Sequence, residues 1–131
     1  MPDMIKEYAN TNAYRWKPDT YTIDQHQGNS VCWDDITVYL TIQNKKITQY
    51  RFDGNCSLIT KAAASFLGDL IENIGIETIL LWNYQTLQKE WLEVSPRRKR
   101  AAIIALIAAQ NALYAYQWIE KQVTFDEILY D

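Results

Sequence analysis

The residues able to do chemistry fall in two places. One is the stretch from Asn29 to Ser57, which holds both cysteines of the chain, Cys32 and Cys56, the acids Asp34 and Asp35, and the serine that follows Cys56. The other is a knot of consecutive cations, Arg97-Arg98-Lys99-Arg100. A thiolate is a nucleophile and a ligand for zinc or iron. A serine hydroxyl stays protonated at neutral pH and ligates poorly, and a guanidinium is a fixed cation that cannot ligate at all. Adjacent cations attract an anion or an acidic surface. The chain shows no Ser/His/Asp constellation, no phosphate loop and no His-x-x-x-His pair, and its one histidine is His26.

Composition narrows the classes. The chain has 131 residues, 48% of them hydrophobic, which suits one domain spanning residues 1–131 with a real core and excludes a disordered chain. The net charge is −3, and without the Arg97–Arg100 knot it would be −7, nine basic residues against sixteen acidic. An acidic body with one basic spot argues against a nucleic-acid surface, which needs a broad basic face. The longest apolar run, Ala101–Ala109, is nine residues, far short of the roughly 20 a membrane span needs. Met1–Trp16 has no apolar segment of the signal-peptide kind. Two cysteines in such a chain are expected to be reduced thiols in the cytoplasm.

The elements that must position these residues follow from periodicity. Met1–Ala13 is expected to be a helix, ended before Pro18. Thr20–Asp24 reads as a strand and Gln25–Ser30 as a loop carrying His26. Ile36, Val38, Leu40 and Ile42 alternate with polar partners, the clearest strand, and Ile47–Phe52 returns from a polar turn at Gln43–Lys46. From Ser57 the period becomes helical, weakening at Gly68 and breaking at Gly75. Glu77–Leu92 reads as a second helix. Ser95 and Pro96 open a third, which runs to about Lys121 and is apolar on all sides through its middle. Thr124–Asp131 is an acidic tail, a short docking helix or a frayed end. The fold class is α+β: a three-stranded antiparallel sheet packed against helices.

Three motifs along this framework resemble the iron–sulfur cluster assembly scaffold family, the SufU, IscU and NifU N-terminal domain group. The family's N-P-x-C-G-D reads Asn29-Ser30-Val31-Cys32-Trp33-Asp34, matching at Asn, Cys and Asp. Its F-x-G-x-G-C motif reads Phe52-Asp53-Gly54-Asn55-Cys56-Ser57 at the same distance, so the ligand cysteine falls on Ser57 and Cys56 falls on the glycine. Its R-x-K-C-A reads Arg97-Arg98-Lys99-Arg100-Ala101, with Arg100 in place of cysteine. The resemblance covers roughly residues 29–120, and Glu7–Trp16 only occupies the place of the family's H-x-x-x-P-R-N-x-G signature.

The resemblance implies a SufU/IscU-like fold. It also implies a role that is not enzymatic: holding a nascent iron–sulfur cluster or a zinc ion on cysteines and the motif aspartate. The expected partners are a cysteine desulfurase and chaperone or acceptor proteins, and a homo-oligomer is left open. The ligand kit left here is Cys32 and Asp34, with Cys56 adjacent to the place of the second cysteine, and Ser57, Lys99 and Arg100 are further site positions. Two outcomes follow. Either these residues still bind metal, completed by a second subunit, or an Asp34–Arg100 ion pair replaces the metal and the chain is a protein-interaction module carrying no cofactor. Plainer readings stand beside both: Cys32 and Cys56 as structural thiols, His26 as a surface-loop histidine, and the basic knot as a solvated helix start.

Overall fold

The computed structural model of the protein describes residues 2–29, 34–90 and 94–129. Three strands, β1 (Ile23–Asn29), β2 (Asp34–Gln43) and β3 (Lys46–Asn55), form an antiparallel sheet in the order β1-β2-β3. The expected hairpin is present. Ile36, Val38, Leu40 and Ile42 alternate into the core from β2, and Ile47, Tyr50 and Phe52 from β3. Asn44 and Lys45 both take positive φ (53° and 61°), the turn geometry that suits the strands' own twist.

The first strand lies further along than Thr20–Asp24. It takes in Gln25–Asn29, read from the sequence as a loop, and Ile23 pairs with Leu40 and Asn29 with Asp34. The apolar alternation is absent because Gln27 meets the long C-terminal helix (Lys99–Tyr116) through a hydrogen bond, Asn111 Nδ2 donating to Gln27 Oε1 at 3.3 Å. A strand can satisfy a buried face with paired polar groups as well as with apolar ones.

The helices are α1 (Pro2–Asn10), α2 (Leu58–Ile71), α3 (Ile76–Ile79), α4 (Tyr84–Lys89), α5 (Lys99–Tyr116) and α6 (Phe125–Leu129), with a 3-10 turn at Pro96–Arg98. Helices α2 and α5 pack together, and α5 lies across β1 and β2. Residues Ala101–Leu113 of α5 are all buried, as a helix apolar on every side requires. Tyr50 ties sheet to helix by donating its buried hydroxyl to Ala64 O at 2.8 Å. The tail docks as α6, burying Ile128 and Leu129. Its approach is held by Asn111 Oδ1, which accepts from Val123 N at 2.6 Å.

Glu77–Leu92 is not one helix. Asn83 opens α4 with a reciprocal cap, its side chain accepting from Thr86 N while Thr86 Oγ1 accepts from Asn83 N. The carbonyls of Ile79 and Trp82, left over at the break, both accept from the buried Gln110 Nε2 at 2.9 Å. Trp91 and Leu92 lie outside the described residues. The last helix also ends earlier than Lys121, at Gln117 and Trp118. There Ile119 N reaches back to Tyr114 O (2.9 Å) and Trp118 takes φ 60°. That left-handed conformation costs about 1–2 kcal/mol for a residue with a Cβ.

The outer edge of β3 is covered. Phe52 N donates to Tyr14 O and Trp16 N to Phe52 O, both at 2.8 Å, while Tyr50 N donates to the Glu72 carboxylate at 2.8 Å. The N-terminal segment is clamped by Asp69, whose two oxygens accept from Tyr8 (2.7 Å) and Tyr14 (2.6 Å). Burial, then the hydrogen bond and charge of Asp69, push the Tyr8 hydroxyl from 10 up to about 12, and raise Tyr14 likewise. The folded state therefore holds these protons more tightly than the unfolded chain. The clamp contributes fully below pH 10 and is lost as the pH climbs through about 12. A thermal melt is expected to fall across that window, and to fall less in Tyr8→Phe, which has no proton to lose.

Candidate functional site

The strand register brings one end of the sheet against the start of α2. Asn29 pairs with Asp34, and Asp35 pairs with Asn55, so the residues after β3 arrive beside the beginning of β2. Gly54 makes this approach possible. Its φ is +144°, and a side chain there would meet the Asp35 carbonyl. Cys56 and Ser57 then lead into α2.

Asp34 is 4% exposed, and both oxygens of its carboxylate are engaged. Oδ1 accepts from Ser57 N at 2.7 Å, and Oδ2 accepts from Thr60 Oγ1 at 2.5 Å and Ser57 Oγ at 3.3 Å. Ser57 is the N-cap of α2, its hydroxyl accepting from Thr60 N at 3.4 Å. The first turn of α2 has no acidic residue of its own. Asp34, reaching across from β2, therefore supplies the negative charge that a helix N-terminus favours.

Cys56 is half-buried, and its Sγ donates to Asp35 O at 3.6 Å. Burial, followed by the charge of Asp34, pushes the thiol up to about 11, against the opposing pull of Arg15 and Lys61. Cys56 is thus held as a thiol at neutral pH. Asp35 turns the other way from Asp34 and pairs with His26 Nε2 at the surface. His26 stands on β1, not in a loop, and its partner is a carboxylate.

The Asp34–Arg100 ion pair expected from the sequence does not form. Arg100 lies in the first turn of α5 and points to the tail. Its guanidinium stacks 5.0 Å from the Phe125 ring and stands 3.8 Å from Asp126 Oδ1. The pair fails because each charge has a nearer counterpart: the α2 N-terminus for Asp34, and α6 for Arg100. Lys99 is also spoken for, its ammonium 5.0 Å from the Tyr84 ring. Arg97 and Arg98 are exposed in the 3-10 turn.

Of the residues singled out from the sequence, Asp34, Cys56 and Ser57 come together, whereas Lys99 and Arg100 face away to Tyr84 and α6. Cys32, two residues before Asp34, lies outside the described residues. Among the described residues, no three His, Cys, Asp or Glu side chains are grouped to hold a metal ion. Thr60 is the residue that sequence reasoning missed. Its signal was available in Ser57-x-x-Thr60, where an N-cap serine is followed three residues later by a second hydroxyl.

Residues 7–123 match the NifU-like N terminal domain family. The iron–sulfur cluster assembly scaffold protein IscU of Thermotoga maritima is 31% identical over 77 residues, 59% of this chain and 54% of that protein. The match thus spans about half the length of that curated relative. Two solved structures share the fold. One, from Fervidobacterium islandicum AW-1, is described as a candidate iron–sulfur cluster assembly scaffold for the SUF system. It superposes with a TM-score of 0.73 at 16% identity, covering 85% of this chain and 94% of that one. The other is the N-terminal part of a NifU-like protein from Brucella abortus, with a TM-score of 0.71 at 12% identity, covering 88% and 92%. The three-stranded sheet, the helices behind it and a family match through most of the sequence agree, and the chain belongs to the NifU-like N terminal domain family.

Proposed function

We propose that this protein works in iron–sulfur cluster assembly as a scaffold whose site has been reduced to two thiols. The observation that supports this most is the meeting of Cys56, Ser57 and Asp34 at one end of the sheet, two residues from Cys32 in sequence. The cluster is cargo on such a protein. The residues that would hold it, or a zinc ion, are Cys32 and Cys56, whose thiolates suit both. Asp34 already accepts from Ser57 and Thr60 and has at most one lone pair of Oδ1 to offer, so the two thiols need completion by donors from another molecule. A cysteine desulfurase as sulfur donor and an acceptor or chaperone protein are the partners this reading requires, in the cytoplasm where thiols stay reduced.

A second reading has its own observation. Both oxygens of Asp34 are occupied by α2, and Arg100 pairs with Asp126. A domain whose motif aspartate caps a helix keeps its fold without metal and is free to act as a protein-interaction module.

Anaerobic reconstitution with iron and sulfide, and separately with zinc, decides between them. On the scaffold reading, metal is retained and is lost in Cys32→Ala and Cys56→Ala. An empty wild type that gains metal in Ser57→Cys combined with Arg100→Cys would assign the module reading. Stoichiometry below one metal per chain, rising on addition of the desulfurase, is the signature of donors supplied by a second molecule.

A further inference from the structure

The pole opposite Asp34 carries a side chain that the fold itself does not use. Helix α5 stops with Trp118 at φ 60°, in the position after the helix where glycine or asparagine usually sits. The Trp118 ring packs against nothing and is 93% exposed. Its chain neighbours Tyr116 and Ile119 are exposed as well.

The residues that lead to Trp118 border an open cleft of about 530 Å³. Its walls are the β2–β3 turn, the start of α3, and Tyr116-Gln117, the two residues preceding Trp118. A protruding indole and a hollow large enough to take one thus share a face. A two-fold interface needs this arrangement, since what one subunit inserts the other must receive, and the reverse.

The charges are also complementary across a two-fold axis. The rim of the cleft carries Lys45 and Lys46 against one acid, Glu77. Neither lysine forms an ion pair among the described residues, and neither does Glu120, two residues beyond Trp118 on the same protruding segment. Lys121 is already paired with Glu127 at 3.7 Å.

We propose that this pole is the contact between two copies of the chain, with Trp118 of each seated in the cleft of the other and Glu120 beside the partner's lysines. The arrangement leaves the Asp34 end of both subunits open, because the β2–β3 turn and the Asn29–Asp34 pair lie at opposite ends of the sheet.

Sedimentation velocity of the whole chain, from about 1 to about 200 µM, tests it in the range where a small interface associates. The expected result is a monomer–dimer equilibrium weakened by roughly 30-fold or more in Trp118→Gly, the loss typical of a central aromatic anchor. Glycine suits the left-handed position, so this variant stays folded, and at concentrations where both proteins are monomeric its melting temperature is expected to be higher than the wild type's. Glu120→Lys should weaken the dimer, and adding Lys45→Glu and Lys46→Glu should restore it. A monomer at every concentration overturns the proposal, whether the face then takes a peptide or a lipid surface. So does a dimer that Trp118→Gly and the charge exchange leave unchanged.

Discussion

Asp34→Ala is expected to lower the stability of the metal-free protein by about 3 kcal/mol, read as a shift of the urea midpoint at unchanged slope. The carboxylate accepts from Ser57 N, Ser57 Oγ and Thr60 Oγ1 while 4% exposed. Removing it leaves the Ser57 backbone donor and the Thr60 hydroxyl without their acceptor, while the Ser57 hydroxyl can still donate to Thr60 Oγ1 at 3.1 Å. Hydrogen bonds to a charged group contribute about 1.5–3 kcal/mol, and an anion at a partly buried helix start adds up to about 2. Some of this is recovered by water entering the gap, which sets the net figure. Asp34→Asn should cost less, since the amide oxygen still accepts from Ser57 N while its NH2 group faces the hydroxyls. The contrast with a pure metal ligand is sharp. A carboxylate kept only for metal costs nothing to remove in the metal-free state, and its removal relieves charge. A stability loss without metal therefore marks Asp34 as a cap whatever reconstitution shows.

That cap explains why the site was only partly legible. Asp34 and Arg100 stand at two ligand positions of the family's motifs, and opposite charges at adjacent ligand positions invite pairing. Spacing in a motif says which residues converge, but not which competitor holds each charge. Helix α2 has no acid in its first turn, so its N-terminus is an unfilled demand that Asp34 meets from the next layer. Arg100 is drawn off by α6, whose Phe125 and Asp126 lie in an acidic tail with no strong helix signal of its own. Long-range capping of this kind has no fixed sequence offset: the helical period from Ser57 and the Ser57-x-x-Thr60 pair mark the helix start but not the acid that serves it.

The fold was more legible than the site, for a physical reason. β2 alternates cleanly because α5 lies across it and burial forces a period of two, whereas β3 slips by one residue between Ile47 and Tyr50, where the pairing register shifts. β1 faces α5 through Gln27 and its amide bond to Asn111, so its burial left no apolar trace. The α3–α4 break failed in the opposite way. An apolar stripe continued across it, but Asn83 and Thr86 start a new helix, and Gln110 from α5 caps the carbonyls released between them. Each error came from a polar side chain that satisfies backbone or side-chain groups at long sequence separation.

Gly68→Ala inverts what helix propensity alone predicts. Within an exposed helix the change stabilises by about 1 kcal/mol. Here it is expected to destabilise by about 2–3 kcal/mol, the range of overpacking a filled site. Gly68 is buried in α2, and a methyl group there would overlap Cγ, Cδ2 and Cε2 of the Tyr14 ring. That ring cannot step aside cheaply. Its hydroxyl is held by Asp69 at 2.6 Å, its carbonyl accepts from Phe52 N at 2.8 Å, and its face meets Tyr50 at 5.9 Å. Displacing it frees the segment that covers the β3 edge. Amide exchange at Phe52 and Trp16 should therefore accelerate more than exchange in β2, which the segment does not touch. Tyr14→Ala in the Gly68→Ala background separates the terms. With the ring removed the methyl group has room, so the added substitution should then be neutral or stabilising, and a persistent loss would place the cost in α2 itself rather than in the clamp. The same glycine that weakens α2 by propensity is what lets the N-terminal segment lie against it and close the sheet edge beside the Cys56 site.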